Sequence, residues 1–387
     1  MKKVSVVALV LALALFFTGC TNGELKIYNA FLKSQDISSM ESKTNLKFTL
    51  AGEGLSEENQ AMLSEAIKVV NNSKITMDQK MEQNKDKTIV KAQVDMGLDM
   101  AGVKTDMQVW VDADMSEDTP KMVEVIKMPQ MLMAGLGEEN ANKEYIVYDF
   151  NEVLGMEELG MDYTKVMNWS KEMQPKITDF LKEYAKNFDS DINMIEYKGN
   201  RSLNNEIVDI YELKLNDASF KNLMRYSVNN FMENEDMIKF MNEYMDMVFS
   251  IADVPENEKE EVNKGLEEIK KELPNMKEKF NKFMDEFDDV KVLGEEGIVI
   301  EYAINRKGYI VSEKGSIDLS VDLATIGNKV NELGKAEVKA PEMTGVVKLK
   351  IEFDTKIANI NEGIKIEIPK VTEENSLKIT DLINSSL

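Results

Sequence analysis

Methionine is the residue in excess, at 27 of 387 positions, and two groups of thioethers have a spacing that could hold a soft ion. Met128, Met131 and Met133 lie within MPQMLM, and Met241, Met245 and Met247 recur at helical intervals. Clustered thioethers select copper(I). The same spacings also place these residues beside Phe and Val on one apolar stripe, where unbranched side chains fill a core or form a pliable pocket. Carboxylates are the other abundant donors. Asp112, Asp114, Glu117 and Asp118 crowd into DADMSED, but without the glycine and ligand spacing of a calcium loop. A solvated acidic turn accounts for them, as it does for Asp285, Glu286, Asp288 and Asp289 at the end of a helical stretch. Trp110 and Trp169 could stack on a sugar or simply be buried.

The missing residue types exclude more than the present ones suggest. With no histidine, Ser-His-Asp and Cys-His catalysis, histidine metal sites and histidine pH switches are closed. Zinc loses its usual nitrogen and sulfur donors. An enzyme would have to work with carboxylates, lysine, tyrosine or serine, and no matched acid pair or glycine-rich phosphate loop stands out. The sequence therefore reads as no enzyme, with no catalytic residue, metal or cofactor assigned. A net charge of −23 rules against nucleic acid, whose phosphates need clustered Lys and Arg. It also disfavours docking against anionic lipid through the protein surface.

The single cysteine is Cys20. Before it the chain reads MKK and then an apolar run from Val4 to Phe17, shorter than the roughly 20 residues of a spanning helix. A basic start, an apolar centre and small residues before a processing point describe a secretory signal over residues 1–19. Phe17-Thr18-Gly19-Cys20 resembles the lipobox of bacterial lipoproteins, with Phe17 where an aliphatic residue is usual. That resemblance implies diacylglycerol on the Cys20 thiol. Two or more acyl chains on one residue anchor stably, which places the mature chain on the extracellular face of the cell membrane.

The elements that must position the rest alternate between two periods. Leu25, Tyr28, Phe31 and Leu32 predict a short helix soon after Cys20. From Thr88 to Met100, Val90, Ala92, Val94, Met96, Leu98 and Met100 alternate with mostly polar residues, the pattern of a strand with one buried face. Residues 317–323 and 347–353 alternate likewise. Further strands are expected at 46–50, 75–81, 107–113, 122–126, 195–197, 207–215, 298–304 and 364–368. Asn305–Gly308 and Glu313–Ser316 read as short hairpin loops, which favours antiparallel pairing. Helices are expected at 55–71, opening at Ser56, at 164–186, and in a block over 218–287 interrupted at Asp253–Pro255 and Pro274.

One-faced strands and amphipathic helices satisfy each other in an α+β fold. The expected form is a curved, largely antiparallel half-barrel sheet, with amphipathic helices packed on or capping its concave face. Residues 20–387 are expected to form one large domain. This pattern resembles the LolA/LppX group of envelope lipoproteins and carriers, which implies a sheet that holds acyl chains against helices. LKIYNAFLKSQDISSMESKTNLKFTL, from Leu25 to Leu50, is similar to uncharacterised Gram-positive surface lipoproteins. The leading expectation is a membrane-anchored lipoprotein that binds or presents a hydrophobic, lipid-like ligand. Val90, Val94, Met96, Leu98, Met100, Met241 and Met245 are its candidate lining, and no protein partner is identified. The alternatives are an envelope scaffold with a solid core, and a carboxylate-based hydrolase.

Overall fold

The computed structural model describes residues 22–116, 121–137, 140–150, 172–173, 175–180, 183–184, 188, 190–251, 256–333 and 344–385. Helix α1 (Asn22–Ser34) leads into strand β1 (Ser39–Glu53), helix α2 (Glu57–Asn71) and strands β2 (Ser73–Gln83), β3 (Ile89–Met100), β4 (Val103–Asp114) and β5 (Lys121–Lys127). A short helix α3 (Gln130–Ala134) precedes β6 (Tyr145–Asp149), β7 (Ile195–Leu203) and β8 (Glu206–Leu215). Helices α4 (Asp217–Glu233), α5 (Glu235–Ile251) and α6 (Glu256–Glu286) follow, then β9 (Leu293–Asn305), β10 (Ile310–Asp322), α7 (Leu323–Leu333), β11 (Val346–Ala358), β12 (Ser376–Lys378) and α8 (Ile379–Ser385).

The strands form a 12-stranded sheet in the order β12-β6-β5-β4-β3-β2-β1-β11-β10-β9-β8-β7. Every pairing is antiparallel except β12 with β6. Two meanders, β1 to β6 and β7 to β11, are joined where β1 pairs with β11 from Glu41↔Ala358 to Glu53↔Val346. The fold is thus α+β with a large, open, mostly antiparallel sheet whose edges are β7 and β12.

Local chemistry explains several boundaries. The Ser56 side chain caps α2 by accepting from the Asn59 amide, with Glu57 and Glu58 in the first turn, where carboxylates suit the positive end of the helix dipole. β1 runs past the start of β2. There the Asn71 side chain takes the place of a partner strand: the Leu50 amide donates to its Oδ1 at 2.6 Å, and its Nδ2 donates to the Leu50 carbonyl at 3.0 Å. The β9–β10 turn is the expected one, with Gly308 at φ 84°.

Three expectations are corrected. Glu313–Ser316 is not a hairpin loop but the middle of β10. Gly315 is there for close approach, since a Cβ would sit 2.2 Å from the Val299 carbonyl oxygen and 3.1 Å from the Phe353 ring. Pro274 does not end its helix but lies inside α6. That helix is tied to α4 on the far side of the proline, by reciprocal amide bonds between Asn229 and Asn281 and by an Arg225–Asp285 ion pair at 2.7 Å. Residues 364–368 pair with no strand; Ile364, Ile366 and Ile368 instead pack over Trp110 and Val125. Cys20 and residues 253–255 lie outside the described residues, as does most of the expected helix at 164–186.

Among the described residues, the main core covers only part of the sheet. Ile27 and Ala30 of α1 and Leu223 of α4, with Tyr184 and Phe188, close over Ile195, Tyr211, Leu213, Ile300, Tyr302 and Ile304. That is the β7–β10 end. The contacts of α4 run to β8, β9 and α6, so α4 meets the sheet at this end.

Candidate functional site

The pairing registers assign every strand residue to one of two faces. Val90, Ala92, Val94, Met96, Leu98 and Met100 of β3 stand opposite Gln83, Met81, Gln79, Met77, Ile75 and Ser73 of β2. On the other side they meet Ala113, Val111, Val109, Met107, Thr105 and Val103 of β4. The same face continues through Leu46, Phe48 and Leu50 of β1 to Phe353, Ile351 and Leu349 of β11 and Gly315, Ile317 and Leu319 of β10. Along β1 to β6 and β8 to β11, no Lys or Arg falls on this apolar face. The lysines are on the reverse. There Lys43 pairs with Asp78, Lys47 with Glu352 and Lys350 with Glu296.

Sequence reasoning therefore grouped the β3 candidates correctly: Val90, Val94, Met96, Leu98 and Met100 share one face. Their burial is less expected. None is fully buried, and Met100, at the hairpin tip beside Val103, is 51% exposed. The apolar face is closed at β7–β10 and only half-buried at β1–β4. Met241 and Met245 lie on α5, but their side chains are outside the described set. The MPQMLM methionines do not converge, because Met133 is fully buried while Met131 is 71% exposed. Of the acidic turn, Asp112 pairs with Lys121 and Asp114 accepts from the Ser116 amide and hydroxyl; residues 117–120 are outside the described set. Those bonds hold the Asp114 carboxyl below its ordinary pKa.

One row of the apolar face is polar. Tyr302 of β9 pairs with Glu313 of β10, Glu313 with Thr355 of β11, and Thr355 with Thr44 of β1, the two threonine hydroxyls lying 2.9 Å apart. The row then continues through Met77, Met96 and Met107. Between β9 and β4, Glu313 is the single charged residue on this face. Burial pushes its carboxyl pKa up, with no basic group to offset it. Burial, with the Glu313 charge beside it, also keeps the Tyr302 phenol neutral far above its ordinary value. Sequence reasoning missed Glu313 by placing it in a turn. Carrying the Ile317–Leu319–Val321 alternation back through Gly315 would have set it on the apolar face.

Two grooves lie mostly on the reverse. One, of about 860 Å³, is lined by Asp78, Asp95, Asp106 and Gln108, with Met96 and Met107 also bordering it. The other, of about 910 Å³, runs along the lysine–glutamate ladder of β1, β11 and β10. Their polar groups already satisfy one another: Asp95 accepts from Gln93 and Gln108, and Lys314 pairs with Glu301. Both are channels in a charged surface, and the apolar face is the better candidate for a hydrophobic ligand. No protein-family model matches this chain, and no curated protein is significantly similar to it.

Proposed function

We propose that this chain is a lipoprotein anchored through Cys20 to the outer face of a Gram-positive cell membrane. In this reading the sheet curves as a half-barrel of the LolA/LppX kind, and its apolar face holds a hydrophobic, lipid-like ligand without catalysing a reaction. The observation that carries the reading is the half-buried face of β1–β4, with an unbroken apolar run from Val90 to Met100 along β3 and no cation. Unbranched thioethers adapt to chains of varied shape, which suits such a ligand. The orientation is favourable too. Gly23 of α1 packs against Ile195 at the start of β7, the end of the sheet that also carries the exposed Met100 and Val103. An anchor two residues before α1 would hold that end toward the bilayer.

The closed β7–β10 core favours the rival reading of an envelope scaffold, and Met96→Trp separates the two. Against a filled core the larger ring overpacks and costs roughly 1–3 kcal/mol; in an open trough it is accepted and takes ligand room. Thermal melting should show Met96→Trp within error of the wild type, and lipid extracted from the membrane should raise the melting temperature of the wild type more than that of the variant. A marked loss of stability with no lipid effect would favour the scaffold. The anchor is tested separately by metabolic labelling with a fatty-acid analogue. Cys20→Ser should abolish the label and release the protein or leave it unprocessed, whereas an unlabelled but membrane-bound wild type would contradict the lipoprotein reading.

A further inference from the structure

A carboxyl group in the middle of an apolar face needs a reason. Ionised carboxylates are costly to desolvate unless paired, and elsewhere on the sheet this protein pairs them: Glu352 with Lys47, Glu296 with Lys350, Glu53 with Lys348 and Glu301 with Arg201 and Lys314. All of those pairs are on the reverse face. Between β9 and β4, Glu313 alone stands on the apolar side, the other carboxylates of that face being Glu124 on β5 and Asp209 on β8, and among the described residues no ion pair or hydrogen bond reaches the Glu313 carboxyl. Its position is also particular. Tyr302 beside it belongs to the closed core, with Phe31 of α1 edge-on to the Tyr302 ring at 5.8 Å. Thr355 and Thr44 on its other side begin the half-open part of the face. Glu313 therefore sits where the filled core ends and the trough begins.

We infer that Glu313, flanked by Thr355 and Thr44, is the head-group site of the trough and selects a single-chain amphiphile bearing an amine. The inference rests on the ligand-binding reading above and names the class of ligand. Charge complementarity carries it. From β9 to β4 the face has one carboxylate and no cation, so it repels an anionic head and leaves a neutral head without a charge-assisted partner, but gives an ammonium both an ion pair and hydroxyl acceptors. From Glu313 the row crosses β11, β1, β2 and β3 to Met107 of β4. At about 4.8 Å per strand that is roughly 24 Å of surface, ending on three methionines, for an extended alkyl tail.

The test is calorimetric titration of the full chain, kept soluble in amphipol, with dodecylamine, dodecanol and dodecanoate. The wild type should bind dodecylamine about tenfold more tightly than dodecanol, and dodecanoate more weakly than either. In Glu313→Gln, which keeps the shape and removes the charge, the amine preference should vanish while dodecanol binding persists. Glu313→Asp, which draws the carboxylate back by one methylene, serves as a second variant and should reduce the preference without affecting dodecanol. If the amphiphiles bind but no amine preference exists, or it survives in Glu313→Gln, the head-group assignment is wrong and the ligand-binding reading stands. If none of the three binds the wild type, the ligand-binding reading itself falls.

Discussion

Asp217 shows how single residues hold this fold at the seam between helices and sheet. One carboxylate oxygen accepts from the Val292 and Leu293 amides at 2.7 and 2.8 Å; the other faces the Lys221 ammonium at 2.8 Å. Lys221 is buried and donates onward to the Asp288 carbonyl. Burial alone would raise the Asp217 pKa, but the amide bonds and the ammonium outweigh it, and the carboxyl sits below its ordinary value. Removing the carboxylate leaves two amides without an acceptor and a buried ammonium with one carbonyl. Asp217→Ala should cost about 2–4 kcal/mol at neutral pH, read by urea unfolding. Asp217→Asn, which retains an acceptor, should cost less. Because the folded pKa is lowered, the advantage of the wild type over Asp217→Asn is complete above the ordinary aspartate value, and disappears as pH falls through the folded one. Equal stability of all three proteins at neutral pH would show that the seam is held by packing alone.

At the scale of elements, much of this arrangement is legible in the chain. Alternation in β3, β10 and β11 is long enough that period two cannot be mistaken for period 3.6, and it also gives the correct face for Val90 through Met100. The cap at Ser56 marks α2, and glycine marks the β9–β10 turn. The misreadings share a cause: a local signal with two meanings. Glycine in Glu313–Ser316 signals a turn by its conformational freedom, yet Gly315 is required because backbone and a phenyl ring approach it from neighbouring strands that are distant in sequence. Proline signals a helix break, yet α6 continues because its contacts to α4 lie beyond Pro274. The apolar residues of 364–368 signal a strand, but they lie over Trp110 on the reverse face, and pairing resumes only at β12. β6 and β12 are short, and too few residues alternate there to announce them. Which end of the sheet the helices cover is a tertiary fact that no periodicity carries.

For the whole molecule, the sheet separates two kinds of chemistry. Its reverse face is a lattice of ion pairs, most of them exposed and individually worth little. They keep the middle of that side wet, while apolar clusters around Trp110 and Val125 and around Val208, Ile210 and Ala303 are buried on it toward either edge. The apolar face is then divided along its width, with a closed core at β7–β10 and a half-buried strip of Met, Val and Leu at β1–β4. A long apolar strip left only half-buried is the kind of surface that marks a binding site. The use proposed is to hold a lipid-like molecule. Native mass spectrometry of the full chain, purified from its own membrane, is the most direct test. The expected result is a noncovalent adduct of lipid mass on the wild type, lost in Leu98→Asp, which places a carboxylate in the strip, and retained in Lys91→Asp on the reverse face of the same strand. A wild type that carries no adduct, or an adduct that Leu98→Asp leaves untouched in a folded protein, would contradict the proposal.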